Sequence, residues 1–287
     1  MPPQLHTLRL TAADAGKTLQ ELLRGRLELT NRQAKALIDS RNVFVNGKRI
    51  WMARHPLQAS DVITLPAPES TLAVRPPERL DLLWRDSWIL AVNKPPGLVS
   101  ESANGSLEAR LRDQEHQPGL RALHRLDKDT SGVILFAGEG TDRGPYIERF
   151  REKAVRKEYL AIVRGVPEDN QFTISSRLDN KEALTEVRVL TRTRTHAVVR
   201  CRIPTGRTHQ IRRHLLQKDL MIVGERTYGQ NAPVLSAVER TIPRQMLHAA
   251  RMAFTCPHTA AEITLRAPMF PDMALALKSL NLKGFSL

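Results

Sequence analysis

The densest run of polar side chains in the chain is His124-Arg125-Leu126-Asp127-Lys128-Asp129-Thr130-Ser131-Gly132, directly before the apolar stretch that begins at Val133. Asp127, Asp129, Ser131 and Gly132 fill the first, third, fifth and sixth positions of a calcium loop, but the twelfth, which should be a bidentate glutamate, is Gly138. Calcium is not expected. A phosphatase of the Asp-x-Asp type needs an apolar strand ending at its first aspartate, whereas here the strand follows. A plain turn also fits, in which Asp127 and Thr130 satisfy backbone donors and the chain turns at Gly132. The segment alone leaves that reading open.

A second concentration runs Pro204-Thr205-Gly206-Arg207-Thr208-His209-Gln210-Ile211-Arg212-Arg213-His214. Thr-Gly breaks a strand, and Thr208 can cap a helix that turns Ile211 and Leu215 inward. His209 and His214 are five positions apart, about 140° around a helix, so a zinc pair is not expected and hydrogen-bonding histidines are. The Gly-x-x-x-x-Gly-Lys spacing of a phosphate loop is absent from the 287 residues.

Charge indicates a partner. Lys and Arg number 44 against 30 Asp and Glu, a net +14, which reads first as nucleic acid and second as an anionic membrane surface. No window approaches the roughly 18 unbroken apolar residues of a membrane helix, and Met1-Pro2-Pro3-Gln4-Leu5-His6 lacks a signal-peptide pattern. A basic amphipathic helix with a broad apolar face is also missing, so no membrane partner is expected and a cytoplasmic location is. Cys201 and Cys256 alone make neither a disulfide framework nor a cysteine-rich zinc module.

The elements that must position these residues fall into two parts. Residues 1–65 carry 10 basic against 5 acidic side chains and the remainder 34 against 25. Prolines 66, 68, 76 and 77 mark a linker over 66–80, leaving a domain at 81–287. Capping boxes Thr18/Glu21 and Thr30/Gln33 open two short helices, the first with Leu19, Leu22, Leu23 and Leu27 on one face, the second with Ala34, Leu37 and Ile38 inward. Asn46-Gly47 then marks a hairpin within Val43–Ile50, and residues 61–65 a further strand. Beyond the linker, strand-like runs at 88–92, 133–137, 159–163, 186–190 and 196–203 alternate with helical segments near 144–157 and 208–217, so the fold class is α+β. Alternation in 196–203 predicts one wet face carrying Val198, Arg200 and Arg202.

Two helices followed by a basic hairpin over residues 16–65 resemble the αL-type RNA-binding domain of a small-subunit ribosomal protein. Residues 124–132, read as His-Arg-Leu-Asp-x-x-Thr-Ser-Gly, resemble the signature of the Rlu-type (ribosomal large subunit) pseudouridine synthases. Further family motifs are matched in order by Asn93-Lys94-Pro95-Pro96-Gly97, Lys157-Glu158-Tyr159, Thr205-Gly206-Arg207 through His214, and Arg244-Gln245-Met246-Leu247-His248-Ala249. Ser100-Glu101 stands where many relatives have a histidine, and Gly224-Glu225 replaces Gly-Asp; neither is expected to touch the chemistry.

The resemblance implies a larger domain of mixed, mainly antiparallel sheet and an enzyme that converts uridine in structured RNA to pseudouridine. The substrate it implies is large-subunit ribosomal RNA, with transfer RNA or a non-catalytic RNA-binding role as rivals. The reaction gains and loses nothing overall, so neither cofactor nor metal is implied, and a monomer is expected. The resemblance assigns Asp127 as nucleophile or base. Arg207 is expected as its cationic partner, because a unit pair at 4 Å is worth about 4 kcal/mol at an effective ε of ~20. Tyr159 is assigned to stack on the uracil and to accept or relay the carbon-5 proton, and Arg125 to fill the gap left by a flipped base. Lys94, Arg212 and Arg213 are expected on backbone phosphates, as are Arg32, Lys35, Lys48 and Arg49 of the first part.

Overall fold

Thr18 and Glu21 bond reciprocally, the Glu21 amide to the Thr18 hydroxyl at 3.3 Å and the Thr18 amide to the Glu21 carboxylate at 2.8 Å. Thr30 and Gln33 do the same at 3.2 and 2.9 Å. These boxes start two helices in the computed structural model, which describes residues 5–39, 41–66, 79–101, 104–228 and 236–285. The chain divides into two compact units, Met1–Ala73 with Gly229–Pro243, and Val74–Tyr228 with Arg244–Leu287.

The first unit runs β1 (Leu5–Arg9), α1 (Leu19–Arg26), α2 (Asn31–Asp39), β2 (Phe44–Val45), β3 (Lys48–Arg49) and β4 (Val62–Pro66). Asn46 and Gly47 both take positive φ, +51° and +77°, so the two-residue turn closes β2 onto β3. The antiparallel sheet has the order β1-β4-β2-β3. Leu19, Leu22, Leu23, Ala34 and Ile38 of the helices bury against Val45, Ile63 and Leu65 of the sheet. Strand β1 has no counterpart in the sequence reading. Most of the expected linker, residues 67–78, lies outside the described residues.

The second unit runs β5 (Leu82–Arg85), β6 (Ile89–Lys94), α3 (Leu107–Glu115), β7 (Arg121–Ala122), β8 (Ser131–Ala137), α4 (Gly144–Arg151), β9 (Arg156–Arg164), β10 (Gln171–Leu178), β11 (Lys181–Arg192), β12 (His196–Arg202), α5 (Gln210–Leu216) and β13 (Met221–Ile222). It resumes with β14 (Leu247–Thr255), β15 (Glu262–Arg266) and α7 (Pro271–Ser279). Between β13 and β14, α6 (Ala237–Thr241) belongs to the first unit and packs on β4. The eleven-stranded sheet has the path β10-β11-β12-β9-β14-β8-β6-β5, with β13 on β9, β15 on β14 and β7 on β8.

Strands β6 and β8 are buried along their whole length, as unbroken apolar runs predict. Leu90, Val92, Ile134 and Phe136 enter one core with α3 and α5, while Ile89, Ala91, Val133 and Leu135 enter the other beside Tyr146 of α4. Strand β12 departs from its expected wet face: Val198 is fully buried, so only Arg200 and Arg202 of that row reach solvent.

The halves of the sheet meet at β14. One edge pairs with β9; the other pairs with β8 at residues 248–249 and then with β15 from 251 to 255. The β8 contact is the sheet's parallel pairing and spans two residue pairs. Gly132 lies in it at φ +112°, and a Cβ there would fall 2.2 Å from the Ala249 carbonyl oxygen. No side chain fits that approach. Beside it, His248 bonds through Nε2 to the Ala267 carbonyl at 3.1 Å and through Nδ1 to the Ser131 hydroxyl at 2.9 Å. A carbonyl only accepts, so Nε2 carries the hydrogen and Nδ1 accepts from Ser131. Burial draws the His248 pKa down to about 4.

Gly132→Ala should cost more than about 3 kcal/mol of stability, since overpacking adds to backbone strain; a urea titration giving less than about 1 kcal/mol would contradict the close approach. Between about pH 6.5 and 4 the unfolded imidazole binds a proton that the folded one does not, so stability should fall as pH falls through that window. The pH slope should be shallower in His248→Asn, as read from urea midpoints across the window.

Candidate active site

Asp127 stands in the turn that feeds β8, and this turn is held from several sides. Lys94, with no exposed surface, ends β6 and donates to the carbonyls of Pro95, Lys128 and Thr130 at 2.9, 2.8 and 2.9 Å. Ser100 Oγ donates to the Leu126 carbonyl at 2.9 Å and accepts the Leu126 amide at 3.0 Å. Gln245 reaches the Thr130 hydroxyl at 3.0 Å, and Arg244, clamped by Asp272, reaches the Asp129 carbonyl at 3.0 Å. Lys94 is therefore a brace and not the phosphate contact expected of it, because burial leaves its three protons facing backbone oxygens. That burial also lowers its pKa to about 7.

The cation beside Asp127 is Arg212, not Arg207. Arg212 Nη1 lies 3.1 Å from Asp127 Oδ2. The rest of its guanidinium is held by Glu225, at 2.6 Å from Nε and 2.7 Å from Nη2, with Thr227 Oγ1 at 3.0 Å and the Tyr228 ring 5.3 Å from Cζ. Arg207 instead donates from Nε to the Glu182 carbonyl at 3.2 Å. The reason is geometric: Arg207 precedes α5, whereas Arg212 projects from the helix face that docks on the core. With 5% exposure, Arg212 is also corrected from a phosphate contact to an interior ion pair. Arg213, its neighbour, pairs with Asp179 at 2.9 Å near the surface.

Glu225, which the sequence does not lead one to expect near the chemistry, is one contact from the carboxylate. Its Oε1 also accepts the amides of Arg226 and Thr227 at 2.9 and 2.7 Å. Burial pushes its pKa up, but the Arg212 hydrogen bonds and charge and the amides of its own turn outweigh this and hold it below the usual glutamate value. His209 faces Asp127 from the other side, with Nε2 3.8 Å from Oδ1 and Nδ1 2.7 Å from the Tyr228 hydroxyl. It does so from a left-handed backbone, φ +53°, and burial lowers its pKa. Gln210 ties the bend together, accepting the Arg207 amide and donating to the Leu184 carbonyl. His214 bonds Thr185 and Ser176, so the two histidines are hydrogen-bonding groups facing different partners.

Asp127, Tyr159, Arg125, Arg207, His209, Arg212, Thr130 and Gly206 are among the residues lining one cavity of about 120 Å³. That is of the same order as the ~150 Å³ of a cavity that takes benzene, the size class of one planar ring. Arg125 is exposed at the cavity, while Tyr159 is buried. Burial, and then the Asp127 charge, raises the Tyr159 pKa, so this phenol keeps its proton; that is unfavourable to the proton-accepting role expected of it. In the first unit, Arg32, Lys35 and Lys48 are exposed, Lys35 beside Asp39 at 2.6 Å, and Arg49 lies 5.2 Å from the Phe44 ring.

The missed residues left a faint signal: Arg212 is three positions before Leu215, on the side of the helix expected to face inward. Glu225 and Tyr228 left none. Glu225→Gln should cost on the order of 3 kcal/mol by breaking a buried pair, whereas Asp179→Asn, at an exposed pair, should cost less than about 1 kcal/mol. Equal urea midpoints for the two variants would contradict the assignment.

A family model for RNA pseudouridylate synthase matches residues 88–217. The chain is 32% identical over 276 residues to ribosomal large subunit pseudouridine synthase D of Xylella fastidiosa, covering 85% of this chain and 82% of that one. It is 29% identical over 312 residues to ribosomal large subunit pseudouridine synthase C of Escherichia coli, covering 97% and 98%. Among solved structures, human RNA pseudouridylate synthase domain containing 4 aligns with a TM-score of 0.60 at 25% identity, over 72% of this chain and 95% of that one. A mixed, mainly antiparallel sheet, a ring-sized cavity around Asp127 and these likenesses agree: the chain belongs to the RNA pseudouridylate synthase family.

Proposed function

We propose that this isomerase acts on uridine in large-subunit ribosomal RNA and that Asp127 is its catalytic carboxylate. The observation that carries the reading is the Asp127–Arg212 pair at 3.1 Å on a cavity sized for one ring. In the reaction the bond from uracil N1 to ribose C1′ breaks, the base turns, and C5 bonds to C1′. The C5 hydrogen leaves and N1 takes up a proton. A carboxylate beside C1′ can attack it or remove a ribose proton, as carboxylates serve at other glycosidic bonds.

Tyr159 then supplies a flat face for the uracil as it turns. Arg125, exposed at the mouth, fills the gap left by the extruded base, a task that suits a planar guanidinium. Arg207 flanks the cavity as a second cation beside the incoming nucleotide. The first unit, with Arg32, Lys35, Lys48 and Arg49, grips RNA backbone through charge and contributes affinity more than sequence choice. The names of the relatives favour ribosomal RNA as the substrate.

Asp127→Asn should abolish tritium release from [5-³H]uridine-labelled RNA while leaving RNA affinity within about threefold, since one charge among many changes. Turnover equal to wild type would refute the assignment. Mapping pseudouridine across total RNA from cells with and without the gene should show a position lost from large-subunit ribosomal RNA; loss confined to transfer RNA would overturn the substrate class.

A further inference from the structure

Lys157 is 8% exposed on β9, two residues before Tyr159. Strand alternation puts both side chains on one face, roughly 7 Å apart along the chain. The Lys157 ammonium lies 5.9 Å from the centroid of the Phe150 ring. His124 stands near it as a neutral ring: its Nε2 accepts the Leu135 amide at 3.1 Å, and burial together with the Lys157 charge draws its pKa to about 3. Among the described residues no carboxylate pairs with Lys157, and burial alone lowers its pKa to about 8. A buried cation without a counter-charge is costly, and such groups gather where a ligand completes the pair.

Gly206 supplies the second observation. It is exposed, it lines the Asp127 cavity, and its φ is not among the positive values, so its backbone does not require glycine. The nearest atom to a Cβ placed on it is the Lys157 ammonium nitrogen, at 3.9 Å. A side chain at 206 would therefore stand beside that nitrogen, and its absence leaves an approach from the cavity to the ammonium.

We propose that Lys157 is the seat of an RNA backbone phosphate adjoining the target uridine, reached past Gly206. This rests on the synthase reading. A phosphate there supplies the missing negative charge and sets the ribose between Tyr159 and Asp127. Lys157 is a positioning residue and takes no part in bond exchange.

The test uses full-length protein and a transcript of large-subunit ribosomal RNA carrying [5-³H]uridine. One lost phosphate contact is worth about one log unit of affinity per log unit of salt, so between 1 M and 0.1 M salt it amounts to about tenfold. Lys157→Met should raise KM about tenfold at 0.1 M salt with kcat within twofold, and lower the slope of log KM against log salt by about one. Lys157→Arg should recover most of both. The melting temperature of Lys157→Met should equal or exceed that of wild type, because an unpaired buried charge has been removed.

An unchanged salt slope, or a fall in kcat at constant KM, would overturn the proposal. So would failure of both Lys157→Met and Lys157→Gln to fold, which would make the lysine a structural group. Wild-type protein that releases no tritium would end the synthase reading; an active wild type with an unchanged slope in the variant ends the Lys157 proposal alone.

Discussion

A single guanidinium, that of Arg212, serves two carboxylates at once, and the geometry around Asp127 depends on it. Glu225 takes one edge in two hydrogen bonds and Asp127 takes the remaining Nη1. Glu225 could not be brought this far into the protein without it, because the desolvation of a buried carboxylate is repaid only by a partner of matching shape and charge, while Asp127 keeps part of its side chain exposed. Glu225 spends its other capacity on the amides of its own turn, so helix α5, the 225–228 turn and the loop before β8 become one assembly. Tyr228 and His209 are fitted around the same group.

The Asp127 turn is rigid for a complementary reason. Its carbonyls converge on an ammonium that water does not reach, its Thr130 is bound to Gln245, and its Leu126 backbone is bracketed by Ser100. In the role proposed for Asp127, a group held in place before substrate arrives needs little reorganisation during the reaction. The brace comes from the end of β6, the loop after it and the residues that lead into β14, and both strands are interior to the sheet.

Local chemistry was legible in the sequence and direction was not. Capping boxes at Thr18 and Thr30 and the Asn46-Gly47 turn depend on residues within a few positions of one another, and the structure forms each of them. The apolar runs of β6 and β8 were equally plain. Strands β10, β14 and β15 and helices α3 and α7 were not read, because their pattern is set by what they pack against: β14 carries His248, Arg251 and Met252 in one strand. Arg207 and Arg212 differ in sequence only by place. Which of them faces Asp127 is decided by how α5 docks, a tertiary fact. Lys94 misled in the same way, since a lysine after an apolar strand reads as a solvent group until three carbonyls close over it.

The narrow parallel seam between β8 and β14 also bears on when the protein becomes competent. Ser131 and His248, which meet there, are 117 positions apart in the chain. Contacts of such separation require a long loop to be closed before they are rewarded, which slows folding. During synthesis the ribosome must release the chain through Gln245 and His248 before the Asp127 turn can be locked, so a nascent chain emerging amid ribosomal RNA carries that turn unbraced.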